Sequence, residues 1–183
     1  MRPLTTILIL VAAFLAVFLE AAWDGPRRWL GAQIDFLPGL MVFASLNAGV
    51  TTLTLLAVVG GLCFDSLSAN PLGVSVLPLF LIGLGIHQCQ HLILRHQAYA
   101  QWMLGLAASA AAPLLTLLLL VTLGHSPILG GGSLWQWVVM SVGGGVLTPL
   151  YFRVFDRLHR ALSYQPVHES SFRQDREIAR GRK

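Results

Sequence analysis

The sequence predicts an all-α polytopic membrane protein with about six transmembrane helices. Three observations lead there. Of 183 residues, 55% are hydrophobic and only 11% charged, and mean hydropathy is +0.70; soluble domains carry roughly a quarter charged residues. The apolar residues fall in runs close to the roughly 20 residues that a helix needs to cross a bilayer. The basic residues are shared unequally between the two sides that such runs would create. A chain of this length has room for about five to seven spans and no large soluble domain.

Leu4 to Ala22 is the first span, longer than the roughly 7–15 apolar residues of a signal peptide core, so it reads as a retained helix. Ala12 and Ala16 place two small residues one turn apart, which lets helices approach closely. Glu20 falls near the far end and reads as an interfacial residue or a contact with another subunit. Trp23 to Asp35 is a linker in which Trp23 and Trp29 bracket Arg27 and Arg28. Tryptophan belongs at the headgroup level, so this linker should lie along the membrane surface. Phe36 to Ala48 is the second span, short unless helix continues into it from Leu30. Asn47, Gly49, Thr51 and Thr52 form a polar turn, and the third span runs to Phe64.

The stretch from Gly60 to Gly73 stands apart. Asp65 is a lone carboxylate between two uncharged runs, Val50 to Phe64 and Gly73 to Leu94. Facing lipid it would cost a few kcal/mol, so it should face protein, water or a partner. Ser66, Ser68, Asn70 and Pro71 are turn formers, and Gly73 permits close packing where the chain returns. The expectation is a tight turn between two membrane helices with its acid near the interface, acting as a structural latch or as a docking point.

Gly73 to Leu94 is the fourth span, followed by Arg95 and His96. Tyr99 to Leu123 is the fifth, with Pro113 inside. Gly124 to Ser133 is a loop, and Leu134 to Phe155 is the sixth span, opened by Trp135 and Trp137 as interface anchors. Gly143, Gly144, Gly145 and Pro149 thin its middle, which predicts a bend or a close helix contact. Arg153, Arg157 and Arg160 carry the helix out of the membrane. Residues 1–162 thus form a transmembrane helical domain, and 163–183 a polar, basic tail.

Lysine and arginine near span ends set orientation. With six spans, both termini share a side that collects Arg2, Arg95 and every basic residue from Arg153 to Lys183, against Arg27 and Arg28 opposite. Both termini should be cytoplasmic and Asp65 should face outward. The net charge of +4 and pI near 9.7 come from the C-terminal cluster. That clustering suits anionic lipid or a cytoplasmic partner rather than nucleic acid. Cys63 and Cys89 fall in apolar runs and read as buried, unpaired thiols.

Catalytic constellations are poorly supported. His87 and His91 have the spacing of a zinc helix, but Gln88 stands where a protease needs glutamate. They read better as a polar face hydrogen-bonded across helices. Ser141 and His125 are the nearest pieces of a serine hydrolase, without a G-x-S-x-G motif. No cofactor or metal site is expected. Apart from Asp65 and the span ends, no chain of ionisable groups of the proton-coupled kind appears within the spans.

Gly61, Asp65, Leu67, Leu72-Gly73 and Leu77, following a second span that contains Pro38, resemble the central signature of the rod shape-determining MreD family. Thr148-Pro149-Leu150, followed by Arg153 and Arg157, is similar to that family's end. The resemblance covers Ile34 to Leu162. It departs at Pro38-Gly39, where the family often has an acid after the proline. It implies a multi-pass protein of the bacterial inner membrane, related in fold to the substrate-binding subunits of energy-coupling-factor transporters. It implies a non-enzymatic scaffold of the elongation machinery that builds lateral peptidoglycan. The partners implied are MreC, MreB, and RodA with its penicillin-binding transpeptidase. The competing expectation is a vitamin-like solute-binding subunit of a transporter, which would need a sizeable polar-lined cavity. A scaffold would instead show a filled core and an exposed groove.

Overall fold

The computed structural model describes residues 3–23, 25–68, 71–91, 97–124 and 130–162. Arg2, Asn70, Arg95, His96, His125, Pro127 and the tail 163–183 therefore lie outside the described residues. Among the described residues seven helices follow one another: α1 Pro3–Ala22, α2 Gly25–Leu30, α3 Leu37–Asn47, α4 Val50–Leu67, α5 Val76–Gln88, α6 Ala98–Thr122 and α7 Gly131–Leu162. Among the described residues there is no strand. Four helices, α1, α4, α6 and α7, are long and apolar enough to cross a membrane, and α3 and α5 are shorter apolar helices. This is an α-helical, membrane-embedded protein.

The bundle is organised around α3. Its sequence is apolar on every side, and a helix of that kind has to be surrounded. All ten residues from Leu37 to Leu46 are buried. α4, α5, α6 and α7 pack around it, and α1 closes the remaining side against α3 and α4. Phe43 stacks on Phe155 with centroids 4.3 Å apart and meets Phe152 edge-on at 5.1 Å. Apolar burial gives little drive inside lipid, so shape fit must hold such a bundle together.

α6 and α7 make the most extensive contact. A Cβ on Gly105 would strike Thr148 Oγ1 and sit 2.6 Å from the Gly144 carbonyl; a Cβ on Gly144 would strike Ser109 Oγ. The backbones touch because neither residue has a side chain. The glycine run predicts this close contact, while the helix itself continues through both Pro149 and, in α6, Pro113.

Three segments differ from the sequence expectations. The second span does not continue helix from Leu30: Gly31 has φ +65° and residues 31–36 are irregular. The linker is more structured than expected, since it carries the short α2. The fourth span begins as helix only at Val76, because residues 72–75 form a turn, and it ends at Gln88. That early end places Cys89 in a turn, exposed, so it is not the buried thiol its apolar surroundings suggest; Cys63 is half-buried, and both are free.

Candidate functional site

Three carboxylates lie in one half of the bundle, each buried: Glu20, Asp35 and Asp65. Each satisfies backbone that no helix can satisfy.

Asp65 sits in the last turn of α4, only 2% exposed. Its Oδ2 accepts the backbone N–H of Gly73 at 2.8 Å and of Ser75 at 3.1 Å. Those donors belong to the turn that leads into α5, where N–H groups have no partner one turn earlier. The carboxylate caps from the neighbouring helix rather than from the chain just before. Gly73 has φ +91°, a conformation that L side chains rarely adopt, and this brings its N–H round to the acid. One turn below Asp65, Gly61 lies against Val76: a Cβ there would be 2.9 Å from the Val76 Cα. Gly61, Asp65 and Gly73 thus form one junction between α4 and α5. Oδ1 of Asp65 is buried with no hydrogen-bond partner among the described residues.

The other two acids serve residues 30–36, which run down the side of α7. Irregular backbone at membrane depth has to be satisfied by protein. Gln136 supplies both halves of a pair: its Oε1 accepts Gln33 N–H at 3.0 Å and its Nε2 donates to the Gln33 carbonyl at 2.9 Å. Trp135 Nε1 donates to the Leu30 carbonyl at 2.8 Å. Glu20 accepts from Gln33 Nε2 at 3.2 Å and, weakly, from Phe36 N–H at 3.5 Å. Asp35 Oδ1 accepts Leu37 N–H at 2.9 Å, at the start of α3. Tyr151 OH reaches the Phe36 carbonyl at 3.3 Å.

Glu20 therefore accepts hydrogen bonds within its own chain, from Gln33 and Phe36, and is buried. Asp35, Gln33, Gln136 and Tyr151 carry no signal in the sequence beyond being polar or amphipathic near span ends. Their roles follow from where residues 30–36 lie.

The remaining sequence candidates are dispersed. Ala16 is buried and Ala12 half-buried, on the stripe of α1 that also buries Ile9, Ala13 and Val17. Arg153 and Arg157 are exposed near the end of α7, opposite the buried Phe152 and Phe155. In the other half of the bundle, His87 Nδ1 donates to the Ser45 carbonyl at 2.9 Å, a bond across helices. His91 lies beyond the end of α5 and is exposed, so the two histidines do not share a helical face. Among the described residues no group of metal-ligating side chains converges. Ser141 Oγ donates to the Trp137 carbonyl at 2.7 Å, and its notional partner His125 is outside the described residues.

No known family profile, no curated protein and no solved structure matches this chain.

Proposed function

We propose that this protein is a non-enzymatic scaffold of the bacterial cell-elongation complex, of the MreD kind. It sits in the inner membrane with six passes and cytoplasmic termini. The observation that carries the reading is the α4–α5 junction. Gly61, Asp65 and Gly73, which bear part of the resemblance in sequence, meet at one helix junction in space, while Leu67, Leu72 and Leu77 of the same signature are exposed. Three members that share one physical task support the reading more than scattered matches.

The core supports the same reading. α3 is wrapped on all sides, so among the described residues the centre of the bundle is filled by protein. A groove of about 910 Å³ lies open between α6 and α7, lined by Pro113, Leu117, Trp137 and Met140 among others. Six passes are compatible with the short helices. α3 rises about 17 Å at 1.5 Å per residue. Residues 31–36, extended, add up to about 20 Å. Together they match a hydrocarbon core about 30 Å thick. The likeness to the substrate-binding subunits of energy-coupling-factor transporters belongs to this proposal. So do the partners MreC, MreB, RodA and its transpeptidase, and a contact of Arg153 and Arg157 with anionic lipid.

Two measurements test it. Reporter fusions at both termini should read cytoplasmic. The tagged full chain should retain MreC on purification, and failure to do so would remove the scaffold reading. Asp65→Asn separates latch from docking point: a latch predicts less protein in the membrane with normal MreC per molecule, whereas docking predicts normal protein with MreC lost.

The solute-binding reading is favoured by one observation, a cavity beside Asp35. Its volume of about 220 Å³ falls below the roughly 300–1,000 Å³ of pockets for drug-sized ligands, too small for a vitamin-like solute, so the scaffold is preferred.

A further inference from the structure

The cavity beside Asp35 has a composition that calls for a particular kind of occupant. It lies where α3, α4, α5, α6 and α7 meet, with a volume of about 220 Å³. Phe64, Pro78, Leu79, Ala112, Leu117 and Met140 make most of its wall. Among the described residues Asp35 supplies the only ionisable group of the lining, and Ser75 and Thr116 supply hydroxyls.

Asp35 is 8% exposed and lines this cavity. Its Oδ1 is taken by Leu37 N–H. Among the described residues, no hydrogen bond and no cation engages Oδ2. The oxygens of Glu20 are turned to Gln33 and Phe36. A buried carboxylate without a counter-charge is costly. The backbone bond to Leu37 explains one oxygen and leaves the other without a partner among the described residues, on a residue that lines an apolar cavity.

The geometry points to a binding site for a small amphiphilic cation, an ammonium head on a compact apolar body, with Asp35 Oδ2 receiving the head and the Phe64–Ala112–Met140 wall receiving the body. A bare metal ion fits poorly. Hard cations take six or more oxygens, and this lining offers a carboxylate and two hydroxyls. The size suits a single ring or a short branched chain, since a cavity of about 150 Å³ accommodates benzene. Nothing in the argument rests on the scaffold reading, and the site could sit in either kind of protein.

The test uses the full chain in phosphatidylcholine nanodiscs at pH 8, titrated with benzylammonium, toluene and benzoate and followed by calorimetry. Wild type should bind benzylammonium at least tenfold more tightly than toluene and should reject benzoate. Asp35→Asn, whose amide oxygen can still accept Leu37 N–H, should erase the preference for benzylammonium over toluene. Ala112→Leu fills the cavity with the charge intact and should abolish both ligands. Repeating the titration with phosphatidylethanolamine in the disc identifies the source: competition assigns the site to a lipid amine head, and unchanged binding assigns it to a free amine. Equal binding of benzylammonium and toluene to wild type would overturn the proposal. So would benzylammonium binding that survives Ala112→Leu, or no binding of benzylammonium at millimolar concentration. The wild-type comparison decides even if Asp35→Asn fails to fold.

Discussion

Two of the helix junctions that rest on glycine use it differently. Between α6 and α7, Gly105 and Gly144 bring backbone onto backbone, and further along the seam Trp137 Nε1 donates to the Ala110 carbonyl at 2.9 Å. Between α4 and α5, Gly61 brings α4 onto Val76, and a buried carboxylate one turn away fixes the turn that follows. The first junction sets a distance. The second sets a distance and the path of the chain. In lipid, both are needed, because apolar surface gains little from leaving one hydrocarbon medium for another.

The comparison is broken most severely at Gly105. A leucine there has no space at either Thr148 or the Gly144 carbonyl, and backbone cannot step aside as a side chain can. Gly105→Leu should cost at least about 3 kcal/mol, the upper part of the overpacking range, read as loss of the folded fraction in denaturant titration of the micellar protein. Ala107→Leu, on the exposed face of the same helix, should stay within about 0.5 kcal/mol.

Asp65→Ala comes next. It leaves the N–H groups of Gly73 and Ser75 without their acceptor and should cost about 3 kcal/mol. Asp65→Asn keeps an acceptor and should cost less, about 1–2 kcal/mol, because only charge assistance is lost. If the alanine and asparagine variants unfold alike, the capping role is wrong.

Gly73→Ala probes the same turn from the other side. A Cβ at φ +91° meets no neighbour, so the cost is backbone strain alone, about 1–2 kcal/mol. Combined with Asp65→Ala it should be less than additive, because both act on one turn. Full additivity would separate them.

His87→Ala removes a single bond to the Ser45 carbonyl and should cost about 1 kcal/mol. It lies in the half of the bundle without buried acids, so its effect should not change when Asp65 is replaced.

Much of this was readable from composition and spacing. The long spans appear as α1, α4, α6 and α7, and the glycine run of residues 143–145 announces a close contact. Asp65 announces itself too, because a single acid between two uncharged runs has to be satisfied by something. Glu20 and Asp35 give no such signal. Each sits near charged and aromatic neighbours at a span end, where an exposed acid is ordinary. Only the descent of residues 30–36 along α7 turns both inward, and no local propensity records that descent.

The sequence by itself determined that the chain belongs in a membrane and where its longest helices run, because hydropathy over about 20 residues is a local property. It also determined that Asp65 needs a partner. The tertiary structure decided which equally apolar helix is wrapped and which keeps a face outside. α3 is enclosed, while α1 leaves Ile7, Phe14 and Phe18 uncovered. It decided as well which backbone groups the three acids satisfy. Hydrocarbon and protein interior look alike to a hydropathy scale, so only shape fit and hydrogen-bond partners, both properties of distant residues brought together, can tell them apart.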